Sequence, residues 1–302
     1  MWSGWIRLSG GVFDIRSAWK RAVLNVNERR LKLTFRGVRG SICRPGGKFL
    51  RYGGNTTCAD VRLSEREWLI LDCGSGMPEL HPELPATVPQ GGLRFHVLLT
   101  HYHRDHLEGL PFFRPLHDPA CSFTFYGFPW ESMGVREALE TGLRPPWFPV
   151  PIGDTPSTKS YVDLTGSPLR IDGIKVSTAR LSHPQGSTAY RLERSGGTVV
   201  FATDTEYGDD ELDARLVELS RGAKVLIHDA QYTPDEYDDY RGHGHSTWRH
   251  AVEIARAGAV ERLVLFHHDP ERSDDELDAI AEQARSAFAA VECAREGASI
   301  PL

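Results

Sequence analysis

The sequence predicts an α/β (α+β) chain in which two β-sheets pack face to face with helices outside. Short β-rich runs dominate the first half, and helical patterns come late, alternating with further strands. Size agrees with this. A chain of 302 residues with 40% hydrophobic content can bury a substantial core.

The first strand runs are LKLTFRGV, CADVRL, EWLILDCG and FHVLLTH, separated by Gly-rich or Pro-rich punctuation. A second set follows: FTFYGF, IKVSTARL, STAYRLER and TVVFATDT. Helical patterns then alternate with strands through DDELDARLVELSRG, KVLIHDAQY, STWRHAVEIARAG, RLVLFHH and SDDELDAIAEQARSAFAAVE. No repeat, low-complexity block or linker divides the chain after Arg30, so residues 31–302 are expected to form one domain. Residues 1–30 form an N-terminal extension of undetermined role. Its amphipathic positions Ile15, Trp19, Val23 and Leu24 fit either a docking helix or a loose extension. The segment 145–160, PPWFPVPIGDTPSTKS, has five prolines and no regular period, which predicts an ordered surface loop. Its Trp147 and Phe148 either pack beneath that loop, the commoner fate, or line a pocket.

Charges are mixed, 35 Lys plus Arg against 41 Asp plus Glu, and the net charge of −6 offers no broad basic face for long nucleic acid. The five cysteines, Cys43, Cys58, Cys73, Cys121 and Cys293, are odd in number and never in C-x-x-C spacing. That argues against a disulfide framework or a Cys-rich zinc module and for mostly buried thiols. No apolar run approaches the roughly 20 residues that span a bilayer, and the opening residues lack a signal-peptide pattern. A cytoplasmic protein that does not enter the membrane is the expectation.

Three of the 13 histidines and one aspartate fall within THYHRDH, at His101, His103, Asp105 and His106. FHVLLTH reads as a buried strand ending at His101, and the period of two places His101 and His103 on one side of an extended chain. Asp105 and His106 follow at a turn into HLEGLPFF, read as a helix start. Four N/O donors after an apolar strand are a costly arrangement without a metal. One stretch cannot surround an ion, so distant donors are required. His183 follows IKVSTARL, Asp204 ends VVFATDTE and His267 ends RLVLFHH, each a donor at the end of an apolar strand. Taken singly, such residues often only cap or turn the chain. Together they complete a two-metal set.

The spaced set His101, His103, Asp105, His106, His183, Asp204 and His267 resembles the metallo-β-lactamase superfamily over residues 31–268. The resemblance implies a four-layer αββα sandwich with a dinuclear site along one edge, and two divalent ions, zinc first, with manganese or iron as alternatives. It implies that His101, His103 and His183 hold one ion, that Asp105, His106 and His267 hold the other, and that Asp204 bridges them. Asp72 of LILDCGSG matches the superfamily's early aspartate, which supports ligands from outside.

Fold membership does not name a reaction. Asp204 stands where true β-lactamases usually carry cysteine, and a bridging carboxylate suits in-line displacement at phosphorus. RGHGHSTWRHAVEIARAGAVERLVLFHH resembles the corresponding stretch of ribonuclease Z and related phosphodiesterases. That resemblance makes His245 a proton donor at a helix start, with Asp229 orienting it and Asp105 also counted among the catalytic residues. His243, His250 and His268 carry weaker cases, with His268 expected to support a ligand rather than be one. Ribonuclease Z inserts a long tRNA-gripping arm between the positions of His183 and Asp204, whereas only residues 184–203 lie there, reading as one hairpin. FRGVRGSICRPGG with RYGGNTTCADVRL resembles a bacterial subgroup described as similar to class II cyclic-nucleotide phosphodiesterases. The expected substrate is therefore a small phosphodiester such as a cyclic nucleotide, not long nucleic acid, and a homodimer is compatible. Two rivals stay open: hydrolysis of a lactone, thioester or β-lactam on the same fold, and a non-catalytic metal-binding sensory protein.

Overall fold

A computed structural model describes residues 5–8, 11–14 and 31–302. The chain divides into two units, Met1–Leu31 and Lys32–Leu302. In the first unit β1 (Trp5–Leu8) and β2 (Gly11–Asp14) pair as an antiparallel hairpin. The amphipathic positions Ile15 to Leu24 lie outside the described residues.

The second unit is an αββα sandwich of two seven-stranded mixed sheets. The first sheet runs in the spatial order β16 (Ser299–Pro301), β3 (Lys32–Gly37), β4 (Cys58–Arg62), β5 (Glu67–Leu71), β6 (Leu93–Leu98), β7 (Cys121–Gly127) and β8 (Thr158–Asp163). The second runs β15 (Val291–Cys293), β14 (Arg262–Phe266), β13 (Val225–Asp229), β12 (Gly197–Ala202), β11 (Ser187–Arg194), β10 (Ile174–Leu181) and β9 (Leu169–Ile171). Strands β5 to β8 are mutually parallel, and so are β12 to β15. Their near-continuous apolar runs follow from burial on both faces, as parallel strands require. Phe35 of β3 and Phe201 of β12 both meet Phe266 of β14, with ring centroids 5.7 and 5.2 Å away, which joins the two sheets in the middle layer.

Helices α1 (Val135–Gly142), α2 (Asp210–Ser220), α3 (Tyr237–Tyr240), α4 (Trp248–Ala257) and α5 (Asp274–Ala287) complete the outer layers with a series of 3₁₀ turns. Helix α5 starts at a capping box, Ser273 with Glu276, and buries Leu277, Ile280, Ala281 and Ala284 at helical spacing. It packs with α2 and α4 over the outer face of the second sheet, in one apolar cluster that includes Leu216, Val252 and Leu263. The first sheet's outer cluster, with Trp68, Phe95, Phe113 and Phe123, lies beneath α1 and the 3₁₀ turns.

Three local expectations are corrected, and one helix went unread. HLEGLPFF is no helix; it forms 3₁₀ turns at Arg104–His106 and Leu110–Phe112, because Gly109 and Pro111 interrupt any longer run. The last helical pattern stops at Ala287, and Val291–Cys293 pairs with β14 instead. The segment 145–160 is only partly loop, since Ile152–Asp154 is a 3₁₀ turn and β8 begins at Thr158 as a polar edge strand. Helix α1 carried too short an apolar period to be read.

Candidate metal centre

The site forms where successive strands of both sheets end. β6 leads through Leu99 to Thr100 and His101, β5 to Asp72, β10 to His183, β12 to Asp204, β13 ends at Asp229 and β14 leads to His267. Asp72, Asp204 and His267 turn out of their strands with φ of 58°, 57° and 59°. Non-glycine residues adopt this left-handed conformation infrequently, and at these three strand ends it turns the side chains away from the strand direction. All three aim at one cluster.

Asp204 stands at its centre. Its Oδ1 lies 3.8 Å from His101 Nε2 and 3.8 Å from His183 Nε2, and His183 Nε2 lies 3.1 Å from His103 Nδ1. Its Oδ2 lies 3.3 Å from both His106 Nε2 and His267 Nε2. Asp105 Oδ2 is 3.4 Å from His106 Nε2 and 3.5 Å from His267 Nε2. Two groups of donors thus converge, His101 with His103 and His183, and Asp105 with His106, Asp204 and His267, and a third group, Asp204 with Asp229, His245 and His267, overlaps the second. Each carboxylate oxygen of Asp204 faces a different group.

The donor set fits metal ions. The Nε2 atoms of His101, His106 and His267 are buried with no hydrogen-bond partner, and all three point at Asp204. Orphaned buried nitrogens are destabilising unless something binds them. The opposite ring nitrogens are engaged, which fixes each ring's orientation. His106 Nδ1 lies 2.8 Å from Asp72 Oδ2, His267 Nδ1 lies 3.0 Å from Gln231 Oε1, His101 Nδ1 lies 3.1 Å from Thr100 Oγ1, and His183 Nδ1 donates to Gly244 O at 2.8 Å. Gly244 must lack a side chain: its φ is +86°, and a Cβ there would come within 2.3 Å of His183 Nδ1.

Electrostatics follow from these contacts. Burial, then His106, pushes His101 well down and burial pushes His183 down to about 4, whereas at His106 burial is outweighed by Asp204, Asp105 and Asp72, which push that ring well up. Burial raises the Asp105 and Asp204 carboxyls, yet His106 beside the first and His267 beside the second outweigh it, and both stay well below the usual carboxylate range.

His245 lies beside the cluster, its ring 4.9 Å from that of His267, and its Nδ1 meets Asp229 Oδ2 at 2.8 Å. Burial opposes its charge, but Asp229 raises it to about 9. It stands two residues before Thr247, the N-cap of α4, rather than in the helix itself. The other histidines fall elsewhere. His250 completes the capping box of α4, exposed His243 follows α3, and His268 is buried with Nε2 on Ala294 O. Thr100, Gln231 and the Gly244 carbonyl are contacts that sequence reasoning missed; Thr100 and Gly244 adjoin motif histidines, whereas Gln231 gave no signal.

A cavity of about 280 Å³ opens beside His101 and His103, walled by Tyr102, Phe128, Trp130 and Met133. Trp147 and Phe148 do not line it. They belong to a separate cavity of about 660 Å³ with Phe112 and Arg104, which shares Tyr102, Thr141 and Gly142 with the first.

Two packed mixed sheets between helices, with a His/Asp cluster at the strand ends, define a hydrolase of metallo-β-lactamase fold. The chain belongs to the beta-lactamase superfamily, whose domain model matches residues 67–268. Ribonuclease BN of Cronobacter sakazakii (strain ATCC BAA-894) is 26% identical over 286 residues, covering 78% of this chain and 89% of that relative. Among solved structures, the metallo-beta-lactamase fold protein YhfI from Bacillus subtilis superposes with a TM-score of 0.67 at 21% identity, covering 89% of this chain and 98% of that one. A diphosphatase from the PhnP family gives a TM-score of 0.63 at 19% identity, covering 90% and 97%.

Proposed function

We propose that the chain is a phosphodiesterase that uses two divalent metal ions, zinc first and manganese or iron as alternatives, on a small phosphodiester such as a cyclic nucleotide. The observation that carries this reading is the Asp204 carboxylate, with one oxygen toward the His101 and His183 pair and the other toward His106 and His267. His101, His103 and His183 would hold the first ion, Asp105, His106 and His267 the second, and Asp204 would bridge. Two ions in such a site lower the pKa of water and offset charge on phosphoryl oxygens.

The protein's own groups do the rest. Asp229 accepts from Nδ1 of His245, which keeps that ring oriented and its Nε2 edge able to pass a proton to the leaving oxygen. Asp105, fixed by the backbone N–H of Ser41 at 2.8 Å, would serve as a ligand and would orient the attacking water. Phosphorus chemistry is favoured by the names ribonuclease BN and diphosphatase among the relatives. Small size is favoured by the tight β11–β12 hairpin, closed at Arg194 and Gly197, and by the modest cavity at His101. The match to ribonuclease BN keeps RNA as a second reading.

The test is metal analysis followed by a substrate panel: cyclic nucleotides, cyclic ribose phosphates, short RNA, precursor tRNA and a chromogenic diester, set beside a lactone, a thioester and a β-lactam. Turnover confined to the carbonyl substrates would overturn the proposal.

A further inference from the structure

One cation reaches the cavity beside His101 and His103. Arg180, near the end of β10, lines it, with its guanidinium 5.2 Å from the centroid of the Phe128 ring. Gly186 closes on it from the turn after His183: its φ is +81°, and a Cβ there would lie 2.2 Å from Arg180 Nη2. The guanidinium is therefore stacked and braced. Among the described residues Arg180 makes no ion pair and no side-chain hydrogen bond, although it is half-buried.

Its basic neighbours differ. Arg180 also borders a second cavity of about 700 Å³ that contains Lys175, Arg191, Arg215 and Arg221. Lys175 and Arg191 pair with Glu193, Arg215 with Glu211 and Arg221 with Glu218. Arg180 alone of these five is uncommitted. A preorganised guanidinium with free in-plane donors suits a phosphate, which it can bind through two parallel hydrogen bonds. That phosphate is not the one under attack. Arg180 is not among the candidate metal-holding residues, and two ions held there would themselves offset the scissile group's charge.

We propose that Arg180 binds a second, uncleaved phosphate of the substrate, with the planar base of the same nucleoside along the Phe128 and Trp130 wall. The substrate class is then a nucleotide diester that also carries a terminal phosphate. This rests on the phosphodiesterase reading. A cavity of about 280 Å³, at the lower edge of the roughly 300–1,000 Å³ typical of ligand pockets, fits one nucleoside unit rather than two.

The test uses the metal-loaded protein and three dinucleotides, ApA, pApA and ApAp, with both kcat/KM and calorimetric Kd measured. Wild type should favour one of the phosphorylated forms at least tenfold, chiefly through KM. In Arg180→Ala that preference should collapse toward unity, and Arg180→Lys should restore part of it. Equal use of all three by wild type, or a preference that survives in Arg180→Ala, overturns the role of Arg180 while leaving the phosphodiesterase reading intact. Absence of turnover on these three and on the cyclic nucleotides and chromogenic diester as well overturns that reading instead, and the Kd comparison then still decides for or against Arg180.

Discussion

Asp229 Oδ2 accepts the backbone N–H of Asp204 at 3.1 Å while facing His245 Nδ1 at 2.8 Å. One carboxylate oxygen thus fixes both the left-handed backbone that aims Asp204 and the imidazole beside the cluster. His245→Ala should keep both metals and lose on the order of 10² to 10⁴ in rate, the usual range for removing a general acid or base. Asp229→Asn should lose at least as much and also bind metal more weakly, because it disturbs Asp204. Metal content measured beside kcat separates the two, and loss of metal from His245→Ala would mark that residue as a ligand.

Asp204→Ala removes the carboxylate that, among the described residues, faces both donor groups. Turnover should vanish and metal stoichiometry should fall below the two per chain expected of the wild type. A variant that retains two ions by elemental analysis would show that Asp204 does not bridge.

Asp72 reaches the site indirectly, accepting from Thr100 N at 2.8 Å and Thr100 Oγ1 at 2.9 Å and facing His106 Nδ1 at 2.8 Å. Asp72→Ala should weaken metal affinity about 10- to 100-fold, the usual loss when a ligand's outer partner goes. Competition with a chromophoric chelator reads this, and an unchanged affinity would limit Asp72 to holding Thr100.

Chelation should lower the melting temperature, and reloading should restore it. Ions that bind only the folded chain at 1,000 times their Kd add about 4 kcal/mol by mass action. A melting curve indifferent to complete metal removal would mean that the buried, unpartnered nitrogens are stable without ions, contrary to the donor geometry.

Substrate size supplies a further check. The β11–β12 hairpin turns at Ser195 and Gly196 and offers no arm for a large RNA. Remote binding energy must therefore come from the cavities near the cluster. Small diesters should give higher kcat/KM than precursor tRNA, with weak salt dependence because few phosphates are neutralised. A preference for precursor tRNA with a steep salt slope would move the protein to RNA processing.

The sandwich and the candidate donors were legible in the chain order alone. Apolar runs ending in His101, Asp204 and His267 are local signals, since a buried strand and the polar residue that ends it are adjacent in the chain. Helices α2, α4 and α5 were likewise legible from caps and apolar period. Tertiary structure alone decided the rest. The orphaned Nε2 atoms, the division of Asp204 between two histidine groups and the contact of Gln231 with His267 join residues tens to more than a hundred positions apart, which no period encodes. Trp147 and Phe148 line a cavity, one of the two fates open to them, but the cavity beside His101 and His103 is walled by Phe128 and Trp130 for the same reason. Which loop covers a strand end depends on how the two sheets stack, and Arg180 acquires its place only once β10 brings it beneath Gly186 and over Phe128.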